Sequence, residues 1–341
     1  MQLVSKINPT SWAFYKVLVL LALVLALVFM ASLWWGRYTL SLTELWTALW
    51  PWASGSSTNE LVVWQLRLPR ALAAVFIGSG LAVAGAAYQT LFRNPLVSPD
   101  ILGVSAGAGL GAVLAIFLSL PLLGVQTLAF IGGMLTVAVV YMVSLYSRRY
   151  DPLLILVLAG IAISTFLGAG ISLIRLWSDP YTQQLSISFW LLGGLHTIQL
   201  AALSWAAPLL LVGVLPLWLL RWRINTLSLS ELEAQSLGVH TVYLRIAAIF
   251  CATLITATAV SLAGIIGWVG LVIPHISRLL VGPEFSRLLP TSALIGAIFL
   301  LIADSVARSI GTIEFPLGII TALVGAPFFI YLLLRGNSNE A

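Results

Sequence analysis

Two arginine-containing motifs supply most of the polar chemistry in a strongly apolar sequence. Arg67 and Arg70 lie in the stretch RLPR, directly before a long uncharged run. Asp304 and Arg308 lie in ADSVAR, four residues apart, a spacing that favours an ion pair on one face of a helix. A guanidinium presents a planar set of donors that matches a carboxylate. These residues therefore indicate binding of an acidic partner rather than covalent chemistry.

The stretch GVSAG places Ser105 in the G-x-S-x-G pattern of serine hydrolases. In those enzymes the pattern follows a β-strand, whereas here no strand precedes it. Gly103, Gly107 and Gly111 recur every four residues, which is typical of a smooth ridge where two membrane helices approach closely. We therefore predict helix packing, and no catalytic residue, for this segment. An intramembrane hydrolase that acts through Ser105 is the alternative.

The sequence carries neither an ATPase motif nor a cluster of metal ligands. Its only lysines, Lys6 and Lys16, do not stand in the Gly-Lys-Ser/Thr of a P-loop, so no cofactor is expected on this chain. The three histidines are far apart and the single cysteine, Cys251, lies in an apolar run, so neither a metal site nor a disulfide is expected. The arginines are scattered between apolar runs, which argues against nucleic-acid binding.

Hydropathy identifies the elements that must position these residues. Of the 341 residues, 60% are hydrophobic and 8% are charged, and the mean hydropathy is +1.07. A spanning helix needs about 20 mainly apolar residues. We predict an all-α polytopic membrane protein with about ten transmembrane helices, several of them broken by Gly or Pro, in a single domain over residues 1–341. The predicted spans are 17–35, 71–91, 102–120, 126–146, 152–177, 189–220, 241–262, 265–281, 290–307 and 314–334.

Lysine and arginine in the loops predict the orientation. With the N-terminus inside, most of the 16 Lys and Arg residues lie on the cytoplasmic side, which favours cytoplasmic termini. The outer minority consists of Arg37, Arg67, Arg70, Arg175 and Arg308. The proline within RLPR restricts the backbone between its two arginines. We therefore interpret the outer arginines as a fixed docking surface, with anchoring to lipid headgroups as the alternative.

Two inner segments have the composition of gating or docking parts. Residues 93–103, RNPLVSPDILG, contain two prolines and an asparagine, which prevent a continuous helix and indicate either a pore constriction or a plain interhelical turn.

The pattern of residues 224–244 predicts a short amphipathic helix, with Ser228 or Ser230 as its N-cap and Gly238 at its end. Such a helix either lies on the membrane surface or docks a soluble cytoplasmic partner.

Several stretches resemble the FecCD-type permeases, the membrane subunits of type II ABC importers for iron-siderophores, haem and cobalamin. The opening signature of that family resembles RLPRALAAVFIGSGLAVAGAAYQTLFRNPLVSPDILGVSAGAG, and its coupling loop resembles ELEAQSLGVHTVYLR. Its C-terminal half resembles AGIIGWVGLVIPHISRLL and LLPTSALIGA, followed by ADSVAR and EFPLGIITALVGAPFFIYLL. The resemblance runs in order from about residue 60 to the end of the chain.

The resemblance implies a homodimer in the inner membrane of a bacterial or archaeal cell, which imports a metal chelate by alternating access. Two cytoplasmic ATPase subunits, which carry ATP and Mg, would dock on the cytoplasmic coupling loop of each copy, at about residues 224–244. A periplasmic or lipid-anchored substrate-binding protein would cover the outer face. The implied site residues are Arg67, Arg70 and Arg308 for docking of that protein, Asn94 and Leu96 for a cytoplasmic gate, and Glu231, Glu233, Ser236, Leu237 and Gly238 for ATPase coupling.

The resemblance leaves the substrate and one gate open. A few relatives carry small oxyanions such as molybdate or tungstate, so an oxyanion importer of the same architecture is the main alternative. The cobalamin importer has a second gate formed by a Ser-Thr pair, where this chain has Pro152 and Leu153, so that gate is not transferred. A secondary transporter that uses Asp304 and Glu314 as intramembrane carboxylates is a more distant alternative.

Overall fold

The computed structural model describes residues 11–50, 58–146, 151–229, 231–310 and 314–337. Within these ranges the chain consists of helices, turns and loops, without a β-strand. The helices are α1 (Ser11–Trp34), α2 (Leu42–Leu49), α3 (Thr58–Leu91), α4 (Val104–Phe117), α5 (Leu122–Tyr146), α6 (Pro152–Trp177), α7 (Gln183–Leu192), α8 (Leu200–Leu219), α9 (Arg221–Asn225), α10 (Glu231–Ser236), α11 (Thr241–Ala263), α12 (Val269–Val281), α13 (Phe285–Ser309) and α14 (Leu317–Asn337).

The described ranges contain seven helices that are long and apolar enough to cross a membrane, namely α1, α3, α5, α6, α8, α11 and α13. Three further apolar stretches are shorter, namely α4, α12 and the part of α14 from Leu317 to Leu332. This architecture confirms the prediction of an all-α polytopic membrane protein. The start predicted for α6 is also confirmed, because Pro152 is its first residue and the Asp151 side chain accepts the N–H of Leu153 at 2.8 Å.

Three predicted span boundaries are wrong. The helix predicted to begin at residue 71 begins at Thr58, so RLPR lies within α3 rather than in front of it. Residues 189–220 do not form one span, because Gly193, with a φ of +70°, ends α7 before α8 begins. The span predicted over 265–281 begins only at Val269, since Gly264 ends α11 with a φ of +69° and a short non-helical segment follows.

α3 stays helical through Pro69 because its backbone widens before the proline. Residues Val62–Arg67 form a π-helical turn, in which the N–H of Leu68 bonds the carbonyl of Val63. Proline has no N–H, and its ring clashes with the carbonyl four residues earlier, so a regular α-turn would be broken there. The wider turn absorbs that conflict. The two arginines of RLPR therefore lie on one continuous helix.

α3 and α11 form the centre of the helix bundle. α3 packs on α13, α11 and α12, and α11 also packs on α8 and α5. Two threonines of α11 bond within the helix, since Thr256 donates to the carbonyl of Ala252 at 2.8 Å and Thr258 donates to that of Leu254 at 2.7 Å. The hydroxyl of Thr253 instead lies 2.8 Å from that of Tyr88 on α3. In contrast, α1 and α6 are apolar but mostly exposed. Their surfaces are therefore available to lipid or to another subunit.

The three glycines of the predicted ridge have two different roles. Gly107 and Gly111 lie where α4 crosses α5: an added Cβ would clash with the carbonyl of Gly132 in the first case and with that of Leu128 in the second. Such close backbone approach is a usual basis of helix packing in membranes. Gly103 instead has a φ of +79° and turns the chain into the start of α4.

We expect Gly111→Ala to destabilise the protein by about 1–3 kcal/mol, because the added methyl group forces two helix backbones apart. Gly168→Ala is the matched control, since an added Cβ at this position of α6 meets no atom within 4 Å. The control should leave stability unchanged or raise it by up to about 1 kcal/mol, because Ala favours the helix. Thermal unfolding in detergent measures both; equal midpoints would contradict the close α4–α5 contact.

Candidate functional site

The side chain of Arg67 binds the C-terminal end of α1. Its Nη1 donates to the carbonyls of Leu33 at 2.7 Å and Trp34 at 2.8 Å, and its Nη2 donates to that of Tyr38. The last carbonyls of a helix have no partner within the helix, and a positive charge is favoured at this end of the helix dipole. Arg67 is only 5% exposed. It therefore joins α3 to the end of α1.

Arg308 of α13 binds the same end of α1. Its Nη2 donates to the carbonyl of Ser32 at 3.1 Å, and its Nη1 donates to that of Trp35 at 3.4 Å. The carbonyl of Arg308 itself accepts a hydrogen bond of 3.2 Å from Nε of Arg37. The C-terminal ends of α1 and α13 and the first part of α3 are thus held together by arginine side chains.

Asp304 is the buried anion at the centre of this group. Its Oδ1 lies 2.6 Å from Nε of Arg70, and its Oδ2 lies 3.0 Å from Nε of Arg308. Arg70 also places Nη1 2.8 Å from Oε2 of Glu314. We call Arg70, Asp304, Arg308 and Glu314 the four-charge cluster. Its charges balance, which is the condition under which ions are retained in a low-dielectric interior.

The structure brings together the three arginines predicted for docking and buries them. Arg67, Arg70 and Arg308 lie at one end of the bundle, and each is at most 8% exposed. The predicted Asp304–Arg308 pair is present. The pairing of Arg70 with Asp304 and Glu314 was not anticipated from the sequence, since these residues are far apart along the chain. The docking role of the arginines stays a prediction.

The same geometry bears on a proton- or sodium-driven mechanism. Both carboxylate oxygens of Asp304 face a guanidinium group, and the residue is 1% exposed. A carboxylate held in this way is a fixed counter-ion. An ion-coupled carrier needs a carboxylate that faces a water-filled path and exchanges its ion. The geometry of Asp304 therefore favours a structural role over an ion-coupling role.

Two adjoining cavities open beside the four-charge cluster. The smaller, of about 160 Å³, is lined by Arg70, Glu314 and His196 among others. The larger, of about 340 Å³, shares His196, Phe189 and Gly194 with the smaller one and is mainly apolar. The cluster therefore borders an accessible space on one side, although its arginines are largely buried.

At the opposite end, residues 93–103 form the irregular turn that the sequence predicts; we call it the gate loop. Asn94 Oδ1 accepts the N–H of Leu96 at 2.9 Å, which fixes a tight turn, and the Leu96 side chain is 48% exposed. Ser105 donates its hydroxyl to the carboxylate of Asp100. Burial raises the pKa of Asp100, and the bond from Ser105 opposes that rise. Ser105 thus holds the loop to α4 through an aspartate, without the histidine of a hydrolase.

The predicted cytoplasmic helix is present as α10, six residues long. It ends in a Schellman motif, in which the N–H of Gly238 bonds the carbonyl of Gln235 at 2.9 Å and that of Val239 bonds Ala234 at 3.2 Å. Gly238 has the left-handed conformation required there, with a φ of +73°. The predicted end of the helix is therefore confirmed. Ser228 bonds the carbonyl of Asn225 in the preceding turn, and Ser230 lies outside the described residues.

α10 presents an apolar surface despite its polar sequence. Ala234 is fully buried beneath the helix, whereas Leu232 is 80% exposed and Leu237 is 63% exposed. Glu233 and Ser236 are also exposed, and the side chain of Glu231 lies outside the described residues. Exposed leucines on a short helix and directly after its end are typical of a contact for another protein. Leu232 is an addition to the residues predicted from the sequence.

A model of the FecCD transport family matches residues 23–335. The chain belongs to the FecCD transport family. The molybdate import system permease protein MolB of Haemophilus influenzae is 42% identical to it over 95% of this chain and 98% of its own length. The vitamin B12 import system permease protein BtuC of Photorhabdus laumondii is 40% identical over 94% of this chain and 93% of its own length.

Another relative and a solved structure are also similar to this chain over most of its length. A probable iron chelatin transport system permease protein of Helicobacter pylori is 42% identical over 82% of this chain and 84% of its own length. An ABC transporter described as of the metal-chelate type, solved in an inward-facing conformation, matches with a TM-score of 0.86 and 40% identity. That match covers 94% of this FecCD permease and 99% of the solved chain. The chain is thus a multi-span membrane permease.

We expect Asp304→Asn to destabilise this FecCD permease by about 3–5 kcal/mol, because it leaves two buried guanidinium groups without their shared anion. Glu284→Gln is the matched control in the same part of the chain. Glu284 pairs with Arg287 at 3.1 Å, and its side chain is 34% exposed, so the loss should be below about 1 kcal/mol.

Chemical or thermal unfolding of the purified permease in detergent compares the two variants. A loss of stability in Asp304→Asn no greater than in Glu284→Gln would show that the four-charge cluster does not hold the bundle together.

Proposed function

We propose that this chain is the permease subunit of a binding-protein-dependent ABC importer in the cytoplasmic membrane of a bacterium or archaeon. The observation that carries the proposal is the FecCD family match over residues 23–335, together with a solved ABC transporter that matches 94% of the chain. Substrate passes from the outer face to the cytoplasm by alternating access, and the chain itself performs no covalent chemistry.

The energy comes from separate ATPase subunits that bind ATP and Mg²⁺. The 341 residues contain no P-loop, which supports this division of labour. Each ATPase subunit docks on the loop of residues 224–244, where Leu232 of α10 and Leu237, directly after α10, are exposed. Glu231, Glu233, Ser236 and Gly238 belong to the same contact. The exposed leucines would give this contact its apolar centre.

The complex contains two copies of the permease, with the substrate path between them. α6 and α14 support this arrangement because each has large exposed apolar residues along its length. On α6, Phe166 is 77% exposed and Leu176 is 76% exposed; on α14, Leu323 is 71% exposed. Apolar surface of this extent needs lipid or a partner subunit to cover it. Asn94 and Leu96 of each gate loop close the path at the cytoplasmic end.

A substrate-binding protein docks at the outer end, where Arg67, Arg70 and Arg308 meet. Its carboxylates compete with Glu314 for Arg70, because that pair borders the smaller cavity and the Glu314 side chain is 38% exposed. Arg67 and Arg308 contribute by fixing the ends of α1 and α13 beneath the contact. The arginines thus give the docking surface both its charge and its shape.

The substrate is a metal chelate of the iron-siderophore, haem or cobalamin class. Relatives named for iron chelatin and vitamin B12 import support this class. A small oxyanion such as molybdate or tungstate is the second candidate. It is supported by MolB of Haemophilus influenzae, which is named for molybdate import and matches this chain over 98% of its own length. The two candidates differ greatly in size, so they require substrate paths of different width.

The transport function is tested by reconstituting the permease with its cognate ATPase and binding protein in liposomes. Uptake of substrate that requires ATP, and that stops when the ATPase is omitted, is the expected result. Uptake that follows a proton or sodium gradient without ATP would contradict the proposal.

Calorimetric titration of the cognate binding protein identifies the substrate class. The ligands are a ferric siderophore, haem, cobalamin, molybdate and tungstate. Tight binding of a chelate is expected. Tight binding of molybdate or tungstate, without binding of any chelate, would replace the first substrate candidate by the second.

We expect Glu314→Gln to strengthen binding of the binding protein by up to about fivefold, because a partly exposed charge pair contributes about 0.2–1 kcal/mol and its loss frees Arg70 for a partner carboxylate. Asp179→Asn is the control, since Asp179 is an exposed carboxylate on the same predicted face and bonds Thr182 rather than an arginine. Surface-based binding assays compare both with the wild type. Equal or weaker binding by Glu314→Gln would contradict docking on Arg70.

A further inference from the structure

The first residue of the gate loop, Arg93, has a backbone conformation that favours glycine. α3 ends in a Schellman motif, in which the N–H of Arg93 bonds the carbonyl of Thr90 at 3.3 Å and that of Asn94 bonds Gln89 at 3.1 Å. Arg93 has a φ of +50°. Glycine is the usual residue at this position of the motif, and the same motif at the end of α10 uses Gly238. A side chain with a Cβ is therefore kept here against a local conformational cost.

The side chain of Arg93 makes a contact that glycine cannot make. Its Nε donates to the carbonyl of Leu227 at 2.8 Å. Leu227 is 2% exposed and lies in the turn that leads to α10, within the predicted coupling loop. This hydrogen bond therefore joins the gate loop directly to the loop on which the ATPase is proposed to dock.

The gate loop is also anchored on its other side, through Gln89. This residue is 2% exposed, and its amide nitrogen donates to the carbonyls of Val97 at 3.1 Å and Leu271 at 3.2 Å. Its oxygen accepts a hydrogen bond from Arg278 of α12. The middle of the gate loop is thus tied to α12, while its first residue is tied to the coupling loop. A movement of the coupling loop relative to α12 must pull on the gate loop.

We propose that Arg93 is a positioning residue that transmits movement of the coupling loop to the cytoplasmic gate. The inference rests on the proposed function, since it assigns a step of ATP-driven transport to one contact. The Arg93–Leu227 hydrogen bond carries the displacement, and Gln89 with Arg278 forms the fixed point on α12. The strained backbone at Arg93 is retained because only a long side chain with donors at its end spans the distance to Leu227.

The test uses Arg93→Gly, which removes the contact and also relieves the backbone strain. The complete complex with its ATPase and binding protein is reconstituted in liposomes. Uptake of radiolabelled molybdate and of a radiolabelled ferric chelate is measured together with ATP hydrolysis. We expect transport per ATP hydrolysed to fall by at least about fivefold, the lower range of coupling between linked sites, while stability and the rate of hydrolysis are retained.

Two matched variants accompany it. Arg93→Lys keeps a long side chain with a donor and should recover much of the coupling. Arg223→Ala removes an exposed arginine of α9, at the start of the same cytoplasmic region, and should leave the coupling unchanged.

Wild-type coupling in Arg93→Gly would overturn the inference. A proportional loss of uptake and hydrolysis would also overturn it, because Arg93 would then support the ATPase contact rather than the gate. Failure of Arg93→Gly to fold or assemble would assign Arg93 a purely structural role and would equally overturn it. Uptake by the wild-type complex that does not depend on ATP would instead contradict the proposed function.

Discussion

A peptide carbonyl or N–H in the hydrocarbon of a bilayer has no water to bond, and each unpaired group costs several kcal/mol. Most features of this fold answer that constraint. The π-helical turn of α3 keeps the backbone bonded through Pro69, which lacks a donor. Arg67 and Arg308 bind the carbonyls at the end of α1, where the helix itself has no donors left. Thr256 and Thr258 of α11 donate their hydroxyls to carbonyls of their own helix.

The arginines show how one constraint links structure with function. A guanidinium that satisfies carbonyls at a helix end is fixed in position and largely desolvated. The four-charge cluster adds a balanced set of ion pairs. The intact set contributes little net stability, but removal of one of its charges is strongly destabilising. The outer end of the bundle is therefore rigid before any partner arrives. A preformed surface of this kind reduces the ordering cost of binding, which would suit the binding protein that we propose docks there.

The end of the bundle that carries the gate loop is held by contacts of a different kind. The gate loop is held by a few directional hydrogen bonds, which run from the N–H of Leu96 to Asn94, from Ser105 to Asp100 and from Gln89 to Val97. Burial of Leu102, which is 0% exposed, adds apolar packing. Bonds of this type can exchange partners at low cost when the segments around them shift. The close glycine contact between α4 and α5 gives these bonds a stiff support. A rigid end at the four-charge cluster and an adjustable end at the gate loop would suit the alternating access proposed above.

Local composition and short spacing in the sequence were enough to predict several features that the structure confirms. The correct predictions are the helical membrane class, the Asp304–Arg308 pair four residues apart, the start of α6 at Pro152 and the end of α10 at Gly238. The sequence misplaced the start of α3, because a proline normally marks a helix boundary and the compensating π-turn depends on packing. It also merged α7 and α8, because both are apolar and hydropathy does not register the turn at Gly193.

Contacts between residues that are far apart along the chain could be seen only in the tertiary structure. Arg70 pairs with Asp304 and Glu314 across more than two hundred residues, and Arg93 reaches Leu227 in another loop. Nothing in the local spacing of these residues encodes such contacts, because they arise from the relative placement of helices. That placement is set by where glycines allow backbones to touch and by which buried polar groups remain to be satisfied once the helices have formed.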